Sequence, residues 1–376
     1  MKKLFERIYS SNSQKNSYKK IALIYIGSFL LSIITWNFII GNFVFNQSAI
    51  LFDDVIGNRR YPNTKFLGSA EGHSNFFTDE LGFNNKKISE KRNDKIRIII
   101  LGDSTTEAEQ VNLDKSYASL LEKKLNESSR AYEIFNLGFS GRAIPDYISY
   151  ADGYIEKFSP DFFIIQINYD DFTSDATGKD KQNYIRVNQE NNLEIVHNTH
   201  AGNETNRMIY DKSGWFQPIV AYTVTNVPIS NPADIFKKPA PKTIEDPNSW
   251  KKTLTENAPA LIEWQLAKIQ EKYGNKIAFI YTSTAPSIHD GKIAENEDPT
   301  VIEIKELIQE KCAKLDIPLI DTSDQFVSYY KQTGKMPRGF ANTMPGGGHL
   351  NEGGHQIVAK MLEEFVKNNQ ILSKQQ

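Results

Sequence analysis

The chain holds a single cysteine, Cys312, so no internal disulfide can staple it. That residue shares an apolar helical face with Val301, Ile304 and Ile308, which predicts a packing role. Neither sign of charge dominates: 44 Lys and Arg stand against 46 Asp and Glu, a net charge of −2 that gives no pointer to nucleic acid. From Ile21 through Phe52 charge is missing altogether. The 20 mostly apolar residues Ile21–Ile40 suffice for about 30 Å of helix, enough to cross a bilayer.

Lys2, Lys3, Arg7, Lys15, Lys19 and Lys20 precede this run against Glu6 alone, and Asp53 and Asp54 follow it. The positive-inside rule then predicts a cytoplasmic basic tail over 1–20, a transmembrane anchor over 21–45 and the rest of the chain facing outward. The run outlasts the roughly 7–15 apolar residues of a cleaved signal peptide, so an uncleaved anchor is expected. With 376 residues and 39% apolar content, there is core enough for one large domain or two small ones.

Residues 46–95 are polar, with Asn, Gly and Lys frequent, and read as a stalk and lead-in. From 96 onward short β-branched runs at 96–101, 132–136, 161–167, 277–283 and 317–320 alternate with helical patterns near 115–126, 144–157, 258–273, 299–313 and 352–368. Alternation of this kind predicts an α/β domain with a five-stranded, mostly parallel sheet covered on both faces, built from 96–172 and 257–376. Residues 173–256 break the rhythm and read as an insertion: a lid, a binding elaboration or a mobile excursion. No internal repeat is present.

The apolar run Ile98–Leu101 stops at Gly102-Asp103-Ser104-Thr105. Such a stop is either an ordinary Asp or Ser helix cap or a turn that delivers a hydroxyl to the carboxyl end of a parallel sheet, where open α/β folds bind ligands. A serine nucleophile needs a base, and His349 in Gly348-His349-Leu350-Asn351 is the candidate. His355 falls inside the last helical pattern and reads as packing. His197 and His200 have no acid or cysteine complement, so no metal is assigned, and no cofactor is required for the chemistry.

Four blocks, Gly102-Asp103-Ser104, Asn136-Leu137-Gly138, the run Pro160–Ile165 leading to Asn168-Tyr169-Asp170-Asp171, and His349, resemble in order and spacing those of the SGNH (GDSL-type) hydrolase superfamily across 96–368. The resemblance implies a flavodoxin-like three-layer α/β/α fold and a serine esterase or acyl (acetyl) transferase. It further implies an oxyanion hole from the backbone N–H groups of Ser104 and Gly138 plus a side-chain amide of the third block. In layout the chain is similar to membrane-anchored members that modify O-acylated envelope carbohydrate, and acylated carbohydrate is the expected partner.

Two positions depart from the pattern. The third block of the family reads Gly-x-Asn-Asp, which sets Asn168 at its glycine and Asp170, a carboxylate, at its amide. Asp170 would help an oxyanion if protonated; Asn168 is the substitute, about 6–7 Å back along the strand. The acid that precedes the family histidine is replaced by Gly346 or Gly347, and no Asp or Glu lies between Asp324 and His349. His349 must then be oriented by a backbone carbonyl, by an acid remote in sequence, or work in a Ser-His dyad. These departures set an active esterase or transferase against a weak or inactive relative that binds glycan or a protein partner.

Overall fold

The structure is a computed structural model that describes residues 2–43, 51–68, 70–88, 95–127, 132–179, 181–198, 216, 219, 249–289 and 291–368. Helix α1 (Lys2–Phe43) contains one 24-residue segment, Ser17–Ile40, long and apolar enough to cross a membrane. It is 11% buried, and Leu23, Ile24, Phe29 and Leu31 are exposed, so it is not the core helix of the domain.

Four short strands follow, β1 (Leu51–Asp53), β2 (Gly57–Arg59), β3 (Lys65–Gly68) and β4 (Ser74–Phe77), paired as two antiparallel hairpins. Then come β5 (Ile96–Leu101), α2 (Ser104–Glu107), α3 (Tyr117–Leu125), β6 (Tyr132–Asn136), α4 (Ile144–Phe158), β7 (Phe162–Ile167) and α5 (Ser174–Thr177). A hairpin of β8 (Asn183–Val187) and β9 (Leu193–His197) precedes α6 (Ser249–Tyr273) and β10 (Ile277–Tyr281). The chain closes with β11 (Ser287–His289), β12 (Lys292–Ala294), α7 (Pro299–Lys314), β13 (Leu319–Asp321), α8 (Ser323–Thr333) and α9 (Glu352–Asn368).

The central sheet has the order β13-β10-β7-β5-β6, every pair parallel. In order of appearance this is 2-1-3-4-5, the flavodoxin-like order, whose switch point lies between β5 and β7. Alternate residues feed two cores, as the period of a strand requires. Ile99, Leu101, Phe163, Ile165 and Phe279 pack with α4, α6 and α7. Ile98, Ile100, Ile164 and Ile280 pack with α3, α9 and Phe326 of α8. The expected α/β/α layering is therefore present, with β5, β7 and β10 buried along their whole length.

Two expectations need correction, and one helix, α8, was not expected. Residues 51–88 are no stalk: Ile56, Leu67, Phe76 and Phe83 are all at or below 5% exposed. At roughly 1.5–3 kcal/mol for each buried side chain, an upper bound, their burial rivals the whole stability of a typical domain, about 5–15 kcal/mol. The segment is part of the fold. Its strands of three or four residues are too short to show a hydrophobic period. Helix α8 escaped for a related reason, since Phe326 is its one buried residue. Within the stretch read as a patternless insertion, β8 and β9 form a hairpin tied to α4 by Asn183 Nδ2 donating to Asp146 Oδ1 at 2.6 Å. The reading of 199–248 as a lid or excursion lies, apart from 216 and 219, outside the described residues.

Candidate active site

Strand β5 is buried along its whole length and ends at Gly102. A Cβ there would sit 1.8 Å from Thr106 Oγ1, so the chain can fold back this tightly only with glycine. Asp103 then caps α2: its Oδ1 accepts from Thr105 N–H at 2.7 Å, and its Oδ2 accepts from Asn168 Nδ2 at 2.8 Å. Both readings of the tetrapeptide hold together, because the cap is what sets Ser104 at the first helical position on the carboxyl end of β5.

Ser104 Oγ lies 2.7 Å from His349 Nε2. On the other side of the ring, Nδ1 pairs with Glu71 Oε2, and the main-chain N–H of His349 donates to Glu71 Oε1 at 2.9 Å. The acid is thus remote in sequence, carried on the turn between β3 and β4. Gly348 explains how it fits. Its φ is +70°, and a Cβ on it would fall 1.8 Å from Glu71 Oε1. Where the family pattern places an acid ahead of the histidine, this chain has glycines, and the space they leave admits a carboxylate from elsewhere.

The base loop is held from beneath. Arg338, 7% exposed, donates through Nε to Ser283 O at 2.9 Å, through one terminal nitrogen to Gly348 O at 3.0 Å and through the other to Thr282 O at 3.1 Å. Gly339 N–H donates to His349 O at 3.0 Å. The segment bearing Glu71 is fastened to the nucleophile turn in turn. Arg60 pairs with Glu107 and with Glu109, each at 2.5 Å, and Asn84 Nδ2 donates to Glu107 O at 2.7 Å. Asn342 links Gly72 to the histidine loop, its Oδ1 accepting from Gly72 N–H at 2.9 Å. Burial, with Glu107 beside it, pushes the Glu109 carboxyl up to about 7.

The oxyanion side differs from expectation. Ser104 N–H, first in its helix, has no intrahelical acceptor and remains available. Gly138 comes close to the nucleophile helix, a Cβ there meeting Glu107 N at 2.3 Å, yet its N–H donates to Asn136 Oδ1 at 2.8 Å. Asn168 does not present its amide either: Nδ2 donates to Asp103, and Oδ1 accepts from Thr282 Oγ1 at 2.6 Å. Asp171 accepts from Asn168 N–H at 2.5 Å, and Asp170 opens the short 3-10 turn that follows β7. Burial, with Asp175 nearby, pushes the Asp170 carboxyl up to about 6.

The remaining candidates settle as packing. His355 is 1% exposed, stacks on Tyr117 and accepts from Tyr117 N–H at 3.3 Å; burial lowers its pKa to about 3. Cys312 is buried and its thiol pushed up to about 12, far from a reactive thiolate. His197 pairs with Asn183 across the β8–β9 hairpin at 2.6 Å, and His200 lies outside the described residues.

Glu71 is the residue that sequence reasoning missed. The signal for it was negative: a glycine run before His349 where an acid was due, and an unassigned carboxylate in a segment with buried aromatic residues.

Among solved structures, an acetyl xylan esterase matches with 15% identity over 72% of this chain and 100% of its own, at a TM-score of 0.40. A lipase/acylhydrolase from Enterococcus faecalis matches with 14% identity over 73% of this chain and 96% of its own, at 0.38. No curated protein matches significantly. The model of the GDSL-like lipase/acylhydrolase family matches residues 100–357, well over half of the chain and all four blocks. The chain therefore belongs to the GDSL-like lipase/acylhydrolase family and is, by that family, an ester hydrolase.

Proposed function

We propose that the protein is a membrane-anchored serine esterase that acts on O-acyl groups, foremost O-acetyl, of cell-envelope carbohydrate. The observation that carries the reading is the unbroken relay from Ser104 Oγ through His349 to Glu71. In the first half-reaction, Ser104 Oγ bonds to the acyl carbon while its proton passes to His349 Nε2. Glu71 fixes the tautomer with the proton on Nδ1 and balances the imidazolium that forms. The C–O bond to the sugar then breaks, and the sugar oxygen takes the proton back from Nε2. Water, or a second hydroxyl in the case of transfer, next attacks the acyl-serine with His349 as base and releases the acid or the new ester.

The Ser104 N–H and a protonated Asp170 are the donors proposed for the oxyanion. The carbohydrate class is supported by the anchor-like helix α1, by the basic residues ahead of it that keep the amino terminus cytoplasmic, and by the polar surroundings of the histidine loop. Protease added to intact spheroplasts tests the orientation, since it should remove the domain; a protected domain reverses it.

Full-length protein in detergent should hydrolyse p-nitrophenyl acetate and release acetate from an acetylated oligosaccharide, and Ser104→Ala should lose about 10³-fold or more in kcat. Equal rates for the two proteins reject Ser104 as nucleophile.

A further inference from the structure

An open groove of about 670 Å³ runs beside the histidine loop, lined among others by His73, Gln110, Tyr329, Phe340, Glu352 and Gln356. Ser104, His349 and Glu71 do not line it, but Arg338, Gly339 and Asn351 of the flanking histidine loop do. Phe340 lies against Gly72, the residue after Glu71, close enough that a Cβ on Gly72 would meet the ring at 2.8 Å. Arg338, which holds the carbonyl ahead of His349, lines the groove as well.

Two aromatic rings, Tyr329 and Phe340, and the exposed amide of Gln356 line one concave, solvent-open space. Rings offer an apolar face to the C–H side of a pyranose, and amides offer paired donor and acceptor atoms to vicinal hydroxyls. Gln110 is 7% exposed and forms part of the groove floor. The exposed positions of His73, Glu352 and Gln356 leave the groove open to solvent, and its volume falls in the range that holds a ligand of several rings, about 300–1,000 Å³.

We propose that this groove is a saccharide subsite that holds two or three unmodified sugar units of the polymer whose acyl group reaches Ser104. The inference rests on the carbohydrate reading above and extends it to the residues that recognise the chain. It predicts binding in the absence of any ester.

Full-length Ser104→Ala protein, titrated calorimetrically with cellopentaose, xylopentaose and chitopentaose, should bind at least one of them with a Kd below about 1 mM. Tyr329→Ala and the exposed Gln356→Ala should each weaken that binding about tenfold, whereas Lys360→Ala, on an exposed position of α9, should not. No binding of any pentasaccharide, or equal binding by all variants, overturns the subsite. The readout uses no turnover, so absence of esterase activity rejects the enzymatic reading without touching this one.

Discussion

On the base side of the site, His349 is fixed from three directions, by Glu71, by Gly339 and by the carbonyl that Arg338 holds. On the oxyanion side, Gly138 N–H is bonded to Asn136, the Asn168 amide is bonded to Asp103 and Thr282, and the remaining side chain is a carboxyl. The contrast separates two requirements that most serine hydrolases meet together. In the proposed mechanism, moving a proton needs one well-aimed imidazole, and His349 lies between Ser104 and Glu71 as that step requires. Receiving developing negative charge needs several donors aimed at empty space, and here most of them are spent on holding the turn.

The largest effect is expected where the complete side is broken. In Glu71→Gln the side-chain amide would face Nδ1 and favour the tautomer that carries its proton on Nε2, leaving the base unable to accept from Ser104. A loss of about 10³–10⁴ in kcat follows if Glu71 acts as the triad acid. Steady-state rates on p-nitrophenyl acetate measure it, and a loss below tenfold reduces the relay to a Ser-His dyad.

A smaller and opposite effect is expected on the other side. Asp170→Asn restores an amide donor and should raise kcat by about 10–100-fold, since one oxyanion donor is worth about 10²–10³. The pH profile should change with it. Asp170, titrating near 6, donates only when protonated, which favours low pH. Wild type should therefore lose activity as pH rises through about 6, and Asp170→Asn should not; an unchanged profile would remove Asp170 from the oxyanion site.

The smallest effect probes the segment that carries Glu71. Burial pushes Asp79 up to about 6, opposed by the N–H groups of Phe83 and Leu81. With the unfolded value near 4, the folded state holds the extra proton between about pH 4 and 6, so this group's contribution to stability declines as pH rises through 6. Asp79→Asn removes that decline. Relative to wild type, the variant should gain about 1–2 kcal/mol between pH 5 and pH 7 in urea unfolding. His355, held near 3, works in the opposite sense below its unfolded value of about 6.5 and is common to both proteins.

The sheet was legible because each of its strands announces itself locally. Ile98, Ile99 and Ile100 read as a two-face buried strand from composition alone, and the Gly-Asp-Ser stop marks the carboxyl end. Ser104 and His349 were legible for the same reason, each sitting at an element boundary. Glu71 was not, since nothing within a few residues of it distinguishes it from other surface acids. Its role is written in complementarity with Gly348, which sequence periods do not report. The commitments of Gly138 and Asn168 were hidden likewise, because a motif names the residue that carries a donor but not the acceptor that takes it.

Glu71 precedes His349 by 278 residues, and that separation has a temporal meaning. At about 5–20 residues per second of synthesis, the carboxylate waits roughly 15–55 s for the imidazole it will orient. Contacts that close so long a loop are among the slowest to form. On the proposed mechanism, hydrolytic competence is thus a late event in the life of the chain, and a nascent or truncated product that ends before His349 lacks the base for Ser104.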